Sequence, residues 1–452
     1  MATKSIRKLT VWQLLAIGFL CIILLGSILL SLPFATVEGQ STSYIDALFT
    51  ATSATCVTGL VTHDTATHWS LFGQIVILSM IQLGGLGFMT FVTLIFRLVG
   101  HNLGVYEREA LLQSNGGAHL KDIRPLFRRI LLGTLFFELV GAGLLFIRFR
   151  QDFGNERGLF LAVFHSISAF CNAGFDMLGN AFGDGPFVSL AHYATDPLVV
   201  LVICGLVIIG GLGFCVWGDI IDCKFNLKKC KLHTKAVLVT SAILLVVPTL
   251  MFLFFERNNP ELANFTIWEK LLVAFFNSTT PRTAGFSVMN LRSFSTGSYL
   301  LTIVLMFIGG SPGSTAGGIK TTTFAVILMG MFSVFRGKKD INIGKKRIDE
   351  EVVHNALAVT MAYLMLIIVS VLLICEFDPS IPFADILFEV TSAVGTVGVT
   401  MGITPSLSVF SKIVLILLMY AGRVGVLTLA LAMGQKQHHD QVRNPVDHIL
   451  IG

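Results

Sequence analysis

Apolar stretches long enough to cross a lipid bilayer recur from one end of the chain to the other. Residues 11–32, 75–96, 198–217 and 413–433 are examples, and each could form the helix of about 20 residues that crosses roughly 30 Å of hydrocarbon. Only 13% of the residues are charged, whereas soluble domains contain about 25%. The sequence therefore predicts an all-α, multi-pass membrane protein surrounded by lipid, whose first apolar stretch is a spanning helix and not a cleaved signal.

Lysine and arginine are distributed unevenly between the connectors. If the spans alternate sides, 22 of the 32 basic residues lie in one set of connectors and eight in the other. By the positive-inside rule the richer set, which includes both termini, faces the cytoplasm, so the number of spans is even. The basic residues are scattered over several connectors and form no continuous stripe, so we expect no nucleic-acid partner.

One short pattern occurs four times along the chain. It reads FTATSATCVTGL at 49–60, FHSISAFCNAGF at 164–175, FFNSTTPRTAGF at 275–286 and FEVTSAVGTVGV at 388–399. The copies align without a gap on four glycines, with Phe ten residues earlier and Ser or Thr six residues earlier in each copy. The glycines are 115, 111 and 113 residues apart. This spacing predicts four tandem repeats, at 1–115, 116–232, 233–350 and 351–452, the last including a cytoplasmic tail.

Each repeat predicts a membrane helix, a short re-entrant pore helix, a glycine loop and a second membrane helix, which gives eight spans. Non-helical backbone at membrane depth must be buried in protein or line a wet cavity, so the four loops should meet around a pseudo-fourfold pore. Glycine permits positive φ, and a ring of carbonyls can replace the hydration shell of K⁺. Close helix packing is the alternative role, but it fits one such glycine better than four in register. The predicted filter residues are Thr55, Cys56, Val57, Thr58, Gly59, Cys171, Asn172, Ala173, Gly174, Arg282, Thr283, Ala284, Gly285, Gly395, Thr396, Val397 and Gly398.

A second glycine pattern follows each of these loops, reading GGLG at 84–87 and 210–213, GGSPG at 309–313 and AGRVG at 421–425. Small residues should let these helices approach the axis below the filter. In the third copy, proline and several glycines predict a broken helix, which we interpret as a gate, with a static kink as the alternative. The predicted gate comprises Gly310, Ser311, Pro312, Gly313, Ser314, Thr315, Ala316, Gly317, Gly318, Lys320 and Arg423, and Gly310, Gly313, Gly317 and Gly318 are its hinges.

Two arginines in the apolar part of the chain need an explanation. Arg423 lies midway along the last apolar segment, where an arginine costs at least about 2.5 kcal/mol unless it faces water or a partner. Gly310 and Gly422 follow their filter glycines by 25 and 24 residues, so Arg423 and the broken helix should reach the same depth and close the pore together. Arg282 would repel cations at the axis, so we expect it to point outward, with Glu389 as its candidate partner.

Seven segments are similar to one known superfamily: YIDALFTATSATCVTGL, QLGGLGFMTF, HSISAFCNAGF, TPRTAGF, GGSPGSTAGGIKTTTF, TSAVGTVGVTMG and GRVGVLTLA. The chain resembles the membrane subunits of the Trk/Ktr/HKT potassium transporters, and most closely the KtrB type, because it opens directly into the first repeat. The resemblance implies a homodimer in a bacterial plasma membrane, with one pore per subunit and sodium-stimulated potassium uptake. It also implies a cytosolic KtrA-type nucleotide-binding ring, which the basic connectors and the tail at 444–448 would dock.

Other functions fit the sequence less well. A secondary transporter of another small solute would also have repeats and broken helices, although such repeats usually come in twos. An enzyme is not expected, because there is no nucleotide-binding glycine motif, zinc-ligand set or nucleophile elbow. K⁺ is then the transported ion, Na⁺ a candidate activator, and no organic cofactor is expected.

The eight cysteines lack paired spacing and predict no disulfide framework. Cys223, Cys230 and His233 have metal-like spacing, but they lie in a lysine-rich connector with no second pair of ligands. The sequence therefore favours free thiols facing a reducing cytosol.

Overall fold

The computed structural model describes residues 10–87, 123–338, 340–343 and 346–433. Within these ranges the regular secondary structure is helical except for one antiparallel hairpin of β1 (Asn342–Ile343) and β2 (Lys346–Arg347). The helices are α1 (Val11–Leu30), α2 (Tyr44–Cys56), α3 (Thr65–His68), α4 (Leu71–Leu86), α5 (Ile123–Phe170), α6 (Pro197–Gly211), α7 (Phe214–Asp222), α8 (Leu232–Phe255), α9 (Ile267–Thr279), α10 (Thr296–Phe307), α11 (Thr321–Phe335), α12 (Glu350–Phe377), α13 (Phe383–Gly395), α14 (Val409–Val424) and α15 (Val426–Met433). The basic N-terminus, most of the connector after α4 and the tail at 444–448 lie outside the described residues.

Short helices precede all four glycines of the first pattern. The helices α2, α9 and α13 have 13 residues each. At 1.5 Å per residue they are about 20 Å long, too short to cross roughly 30 Å of hydrocarbon. In α5 the chain is non-helical at Gly154 (φ 75°, ψ −176°), so residues 155–170 form the fourth short helix.

The helix after each glycine loop begins with the same kind of cap. The N-cap side chain accepts a hydrogen bond from a backbone N–H in the first turn of α4, α6, α10 and α14. A cap of this kind typically stabilises a helix by about 1 kcal/mol. The four capping residues are Ser70, Asp196, Ser295 and Ser408.

Four of the described helices are long and apolar enough to cross a membrane, and a fifth span results if α6 and α7, bent by 88°, are counted together. The four lie at Trp12–Leu30, Arg128–Phe170, Leu232–Phe255 and Glu350–Phe377. The helices α4, α10 and α11 are apolar but shorter. The total of eight crossings therefore stays a prediction.

The helices pack in a closed order. Contacts join α4 to α5, α6 to α9, α10 to α13, and finally α14 back to α2. At this last contact Lys412 Nζ lies 2.9 Å from Asp46 Oδ1 in an ion pair. The glycine loops lie inside this arrangement, where Thr58, Thr283 and Thr396 have no exposed surface.

The second glycine pattern interrupts a helix in every copy, not only in the third. Positive φ angles occur at Gly87 (82°), Gly213 (97°), Gly313 (65°) and Gly425 (91°), and α4, α6 and α14 end just before three of them. The sequence predicted a break in the third copy, and the structure adds breaks in the other three. Glycine is favoured at these positions because residues with a Cβ atom adopt positive φ only at a steric cost.

Small residues earlier in the same pattern permit the predicted close approach. A Cβ added at Gly84, Gly210 or Gly422 would lie only 1.9–2.2 Å from a carbonyl oxygen of a short helix. The contacted oxygens belong to Thr55, Phe170 and Val394, which are close to the carboxyl ends of these helices. These helices therefore pack closely against the short helices, and their approach to a pore axis below a filter stays a prediction.

Candidate functional site

The four glycine loops (residues 57–59, 172–174, 283–285 and 396–398) share one backbone conformation. Their glycines have φ of 97°, 70°, 81° and 90°. Two residues before each glycine, a non-glycine residue is also left-handed, with φ between 50° and 66°. These residues are Val57, Asn172, Thr283 and Thr396. Since few non-glycine residues adopt positive φ, its recurrence at one offset marks four copies of a single structure.

The loops converge and their carbonyl groups form a closed cycle. A Cβ added at each glycine would lie within 2.8 Å of the carbonyl oxygen that precedes the glycine of a neighbouring loop. The pairs are Gly59 with Ala173, Gly174 with Ala284, Gly285 with Val397, and Gly398 with Thr58. Each loop therefore contacts the next through one carbonyl oxygen, and the four contacts form a ring.

Hydroxyl groups on the short helices hold these loops, a role that the sequence reasoning did not assign. Ser53 Oγ accepts a hydrogen bond from Gly59 N at 3.0 Å, and Ser392 Oγ accepts one from Gly398 N at 3.1 Å. In the second loop Ser168 Oγ donates to Phe175 O at 2.7 Å, and in the third Thr280 Oγ1 donates to Phe286 O. The Ser or Thr found six residues before each glycine could have predicted this role. In the third copy, however, the bond is made by Thr280 and not by Thr279.

Three threonine hydroxyls beside the loops have no hydrogen-bond partner within the described part of the chain. They belong to Thr55, Thr58 and Thr396, and all three side chains are fully buried. A buried hydroxyl without a partner is costly, so such groups usually meet water or a ligand. Together with the carbonyl cycle they form an oxygen-rich environment suited to a desolvated monovalent cation.

The helix that follows the third glycine loop is broken, as predicted. The break lies between the end of α10 at Phe307 and the start of α11 at Thr321. The intervening chain folds back on itself, because Gly309 N donates to Ile319 O at 2.9 Å and Thr321 N donates to Gly310 O at 3.0 Å. Lys320 Nζ donates to Ala316 O at 2.8 Å. We call residues 309–318 the broken-helix loop.

The broken-helix loop lies against the inner side of the glycine loops. Thr315 Oγ1 donates to Phe170 O, at the end of the second short helix, at 3.2 Å. Phe214 N, at the start of α7, donates to Gly313 O at 2.8 Å. A Cβ at Gly317 would lie 2.0 Å from Thr396 Oγ1 of the fourth glycine loop. The broken-helix loop therefore contacts both the end of the second short helix and the fourth glycine loop.

Arg423 joins the broken-helix loop to the end of α4. Its guanidinium donates to the carbonyl oxygens of Thr315 and Gly84, and also to Gly85 O at 3.3 Å. Arg423 and the broken-helix loop are therefore in direct contact, and their joint role in closing a pore stays a prediction. One side chain of α14 therefore links two segments that are distant in sequence, the end of α4 and the broken-helix loop.

The predicted pairing of Arg282 with Glu389 was wrong. The Arg282 guanidinium donates to Ser241 Oγ of α8 at 3.3 Å. Glu389 accepts from Thr400 Oγ1 at 2.8 Å and also from Thr404 Oγ1. The helix α8 packs behind α9 and reaches Arg282 first, whereas Glu389 finds hydroxyl donors within its own unit.

Two carboxylates lie near the second glycine loop, outside the predicted spans. Asp176 follows Gly174 by two residues, and Leu178 N donates to Asp176 Oδ1 at 3.2 Å. Burial, and then the nearby Asp64 carboxylate, raise the pKa of Asp176 to about 7. Asp64 itself accepts hydrogen bonds from Thr67 N and Phe187 N, both at 2.9 Å.

A family model described as "TrkH: Cation transport protein" matches residues 23–443. The chain belongs to this family. Known members include the potassium/sodium uptake protein NtpJ of Enterococcus hirae, which is 40% identical over 99% of both chains. The Ktr system potassium uptake protein B of Bacillus subtilis is also 40% identical, over 97% of this chain and 96% of its own. The resemblance to the KtrB type that the sequence motifs indicated is thereby confirmed.

The crystal structure of the potassium transporter TrkH from Vibrio parahaemolyticus has the same fold. The TM-score is 0.70 at 18% sequence identity, over 96% of this chain and 87% of that one. The family and the apolar helices together identify a multi-pass membrane cation transporter, which is not an enzyme class.

Proposed function

We propose that this protein takes up potassium ions through a pore whose selectivity filter is built from the four glycine loops. The observation that carries the proposal is the carbonyl cycle, in which each glycine lies against the carbonyl oxygen of a neighbouring loop. Carbonyl oxygens at one point can replace the water around a monovalent cation. Cation uptake as such is supported by the relatives, whose names specify potassium or potassium/sodium uptake.

The proposed architecture is four tandem repeats, at 1–115, 116–232, 233–350 and 351–452, with eight spans around a pseudo-fourfold axis. Support comes from the shared loop conformation and from helix contacts that run in chain order and return from α14 to α2. Cyclic contact between like units supports a central position for the loops, where protein would protect their non-helical backbone from lipid.

The filter assignment is tested by substituting serine at the filter glycines and measuring ⁸⁶Rb⁺ uptake into proteoliposomes with Na⁺ as competitor. At Gly398 a Cβ would lie 2.0 Å from Thr58 O, so the loop must move. Gly402 is the matched control, because it has a similar φ of 79° but no atom within 4 Å of the added Cβ. Positive φ strains both variants equally, so only the contact with the filter differs.

We expect Gly398→Ser to reduce the preference for Rb⁺ over Na⁺ at least tenfold, and Gly402→Ser to leave it unchanged. Equal ion preference in both variants would refute the filter. Uptake of an organic solute that competes with Rb⁺ would instead favour a secondary transporter.

The broken-helix loop and Arg423 form the proposed gate. The loop crosses below the central site, and the guanidinium adds a positive charge there while it hydrogen-bonds to Thr315 O. A cation passing this point would meet both a steric and an electrostatic barrier. Opening requires that the loop separate from Arg423.

The remaining features of the proposed system follow the Ktr-type relatives. We expect a homodimer in a bacterial plasma membrane with both termini in the cytoplasm, stimulated by Na⁺ and regulated by a cytosolic nucleotide-binding ring. Exposed basic residues such as Lys338 and Arg347 can attract an acidic partner surface. Purification from native membranes at low salt tests this expectation, and recovery of the membrane subunit alone would contradict it.

A further inference from the structure

Three side chains of types that can bind a metal ion lie together where the turn between α7 and α8 begins and ends. The ligand atoms of Asp219, Cys223 and Cys230 all lie within 4.8 Å of one another. Cys223 Sγ is 4.0 Å from Asp219 Oδ1. The sequence spacing groups the two cysteines with His233, but in the structure the third member of the cluster is Asp219, and the His233 side chain is exposed.

Backbone hydrogen bonds fold the turn so that its two cysteines come together. Cys223 N donates to Asp219 O at 2.9 Å, and Phe225 N donates to Ile220 O at 3.0 Å. Lys224 and Phe225 are both left-handed, with φ of 49° and 60°. This conformation reverses the chain and returns Cys230 to the end of α7.

The two oxygens of Asp219 have different surroundings. Oδ2 accepts hydrogen bonds from Lys231 N at 2.9 Å and from Thr234 Oγ1 at 2.6 Å, which fixes the carboxylate against the start of α8. Oδ1 faces the thiol of Cys223. Metal-binding carboxylates are commonly oriented in this way by hydrogen bonds to the other oxygen. Capping of α8 explains Oδ2, but it does not explain two thiols beside Oδ1.

We propose that Asp219, Cys223 and Cys230 bind a thiophilic divalent cation of the Zn²⁺ class, with a fourth position open to solvent. Two sulfurs and one oxygen are ligands that Zn²⁺ accepts and that Mg²⁺ and Ca²⁺ do not favour. With Zn–S bonds of about 2.3 Å, tetrahedral geometry places the sulfurs about 3.8 Å apart. Side-chain movements of under about 1 Å therefore complete the site.

The lysines of the turn compensate the net negative charge that the site would carry with the metal bound. Both thiols lose their protons to solvent on binding, so the three ligands carry three negative charges against two on the metal. Four lysines of the same turn, Lys224, Lys228, Lys229 and Lys231, offset the remaining negative charge. The site is partly accessible, because Cys223 is half-buried whereas Cys230 is buried.

The test is a titration of the purified, reduced full-length protein with Co²⁺, followed by displacement with Zn²⁺. Thiolate ligands give cobalt an intense near-ultraviolet charge-transfer band, which oxygen or nitrogen ligands do not. We expect one Co²⁺ per chain with this band, and its loss on addition of one equivalent of Zn²⁺. Absence of the band in the parent protein would overturn the proposal without reference to any variant.

Variants then assign the ligands. Cys223→Ser and Cys230→Ser should each abolish the band, and Thr234→Val should weaken metal binding about tenfold by releasing Asp219. Cys375→Ser, the same change in a half-buried thiol on α12, should have no effect. If Cys223→Ser and Cys230→Ser bind Co²⁺ as the parent does, the ligand assignment is wrong.

Discussion

Replacement of Arg423 by alanine should open the pore. The guanidinium donates to Thr315 O of the broken-helix loop and to two carbonyls at the end of α4. A hydrogen bond from a charged donor contributes about 1.5–3 kcal/mol. If the bond to the loop exists only in the closed state, its loss shifts the equilibrium toward the open state by roughly 10- to 150-fold.

The assay is ⁸⁶Rb⁺ flux into proteoliposomes that contain the membrane subunit without cytosolic partners. We expect Arg423→Ala to raise this basal flux by at least about tenfold, until the open state predominates. Arg423→Lys keeps the charge but loses the planar fork that reaches several carbonyls at once. Its flux should therefore lie between those of the parent and the alanine variant.

Arg336→Ala is the matched control, because it removes an exposed arginine at the end of α11 and should not alter basal flux. The reasoning is refuted if Arg423→Ala conducts no faster than the parent while it remains folded by size-exclusion chromatography. If Arg423→Lys raises the basal flux as much as Arg423→Ala does, the hydrogen bonds and not the charge hold the pore closed.

Three further predictions concern the loops and their surroundings. Removal of residues 312–316 should raise maximal Rb⁺ flux without changing the Rb⁺/Na⁺ preference, and an altered preference would place these residues in the filter. Ser53→Ala and Ser392→Ala each leave a buried glycine N–H without its acceptor, which costs about 1–3 kcal/mol of stability. Both variants should weaken Rb⁺ selectivity against Na⁺. Ser31→Ala, which removes an exposed hydrogen bond to Ile28 O, is the control and should not. Folding raises the pKa of Asp176 to about 7. The contribution of its protonated carboxyl group to the free energy of unfolding is therefore complete below pH about 4 and is lost as the pH rises through 7. The melting temperature of the parent should therefore fall relative to that of Asp176→Asn between pH 5 and 8, and a constant difference over this range would contradict the assignment.

Local patterns in the sequence determined the kind of protein and the position of its central elements. Apolar length and low charge predicted helices in a membrane, because lipid offers no hydrogen bonds to other backbone conformations. The shared spacing around Gly59, Gly174, Gly285 and Gly398 located the loops, and proline with glycine located the break before α11. Each of these signals lies within a few residues of the feature it predicts.

Contacts between distant residues were decided only by the tertiary structure. Arg282 meets Ser241 and not Glu389, because the packing of α8 determines which polar group stands outside the third loop. The glycine patterns at 84–87, 210–213 and 421–425 predicted close packing, whereas the structure also interrupts the helices at Gly87, Gly213 and Gly425. Asp219 joins two cysteines only because the turn after α7 folds back. Such contacts depend on how separate helices pack, which no single stretch of sequence specifies.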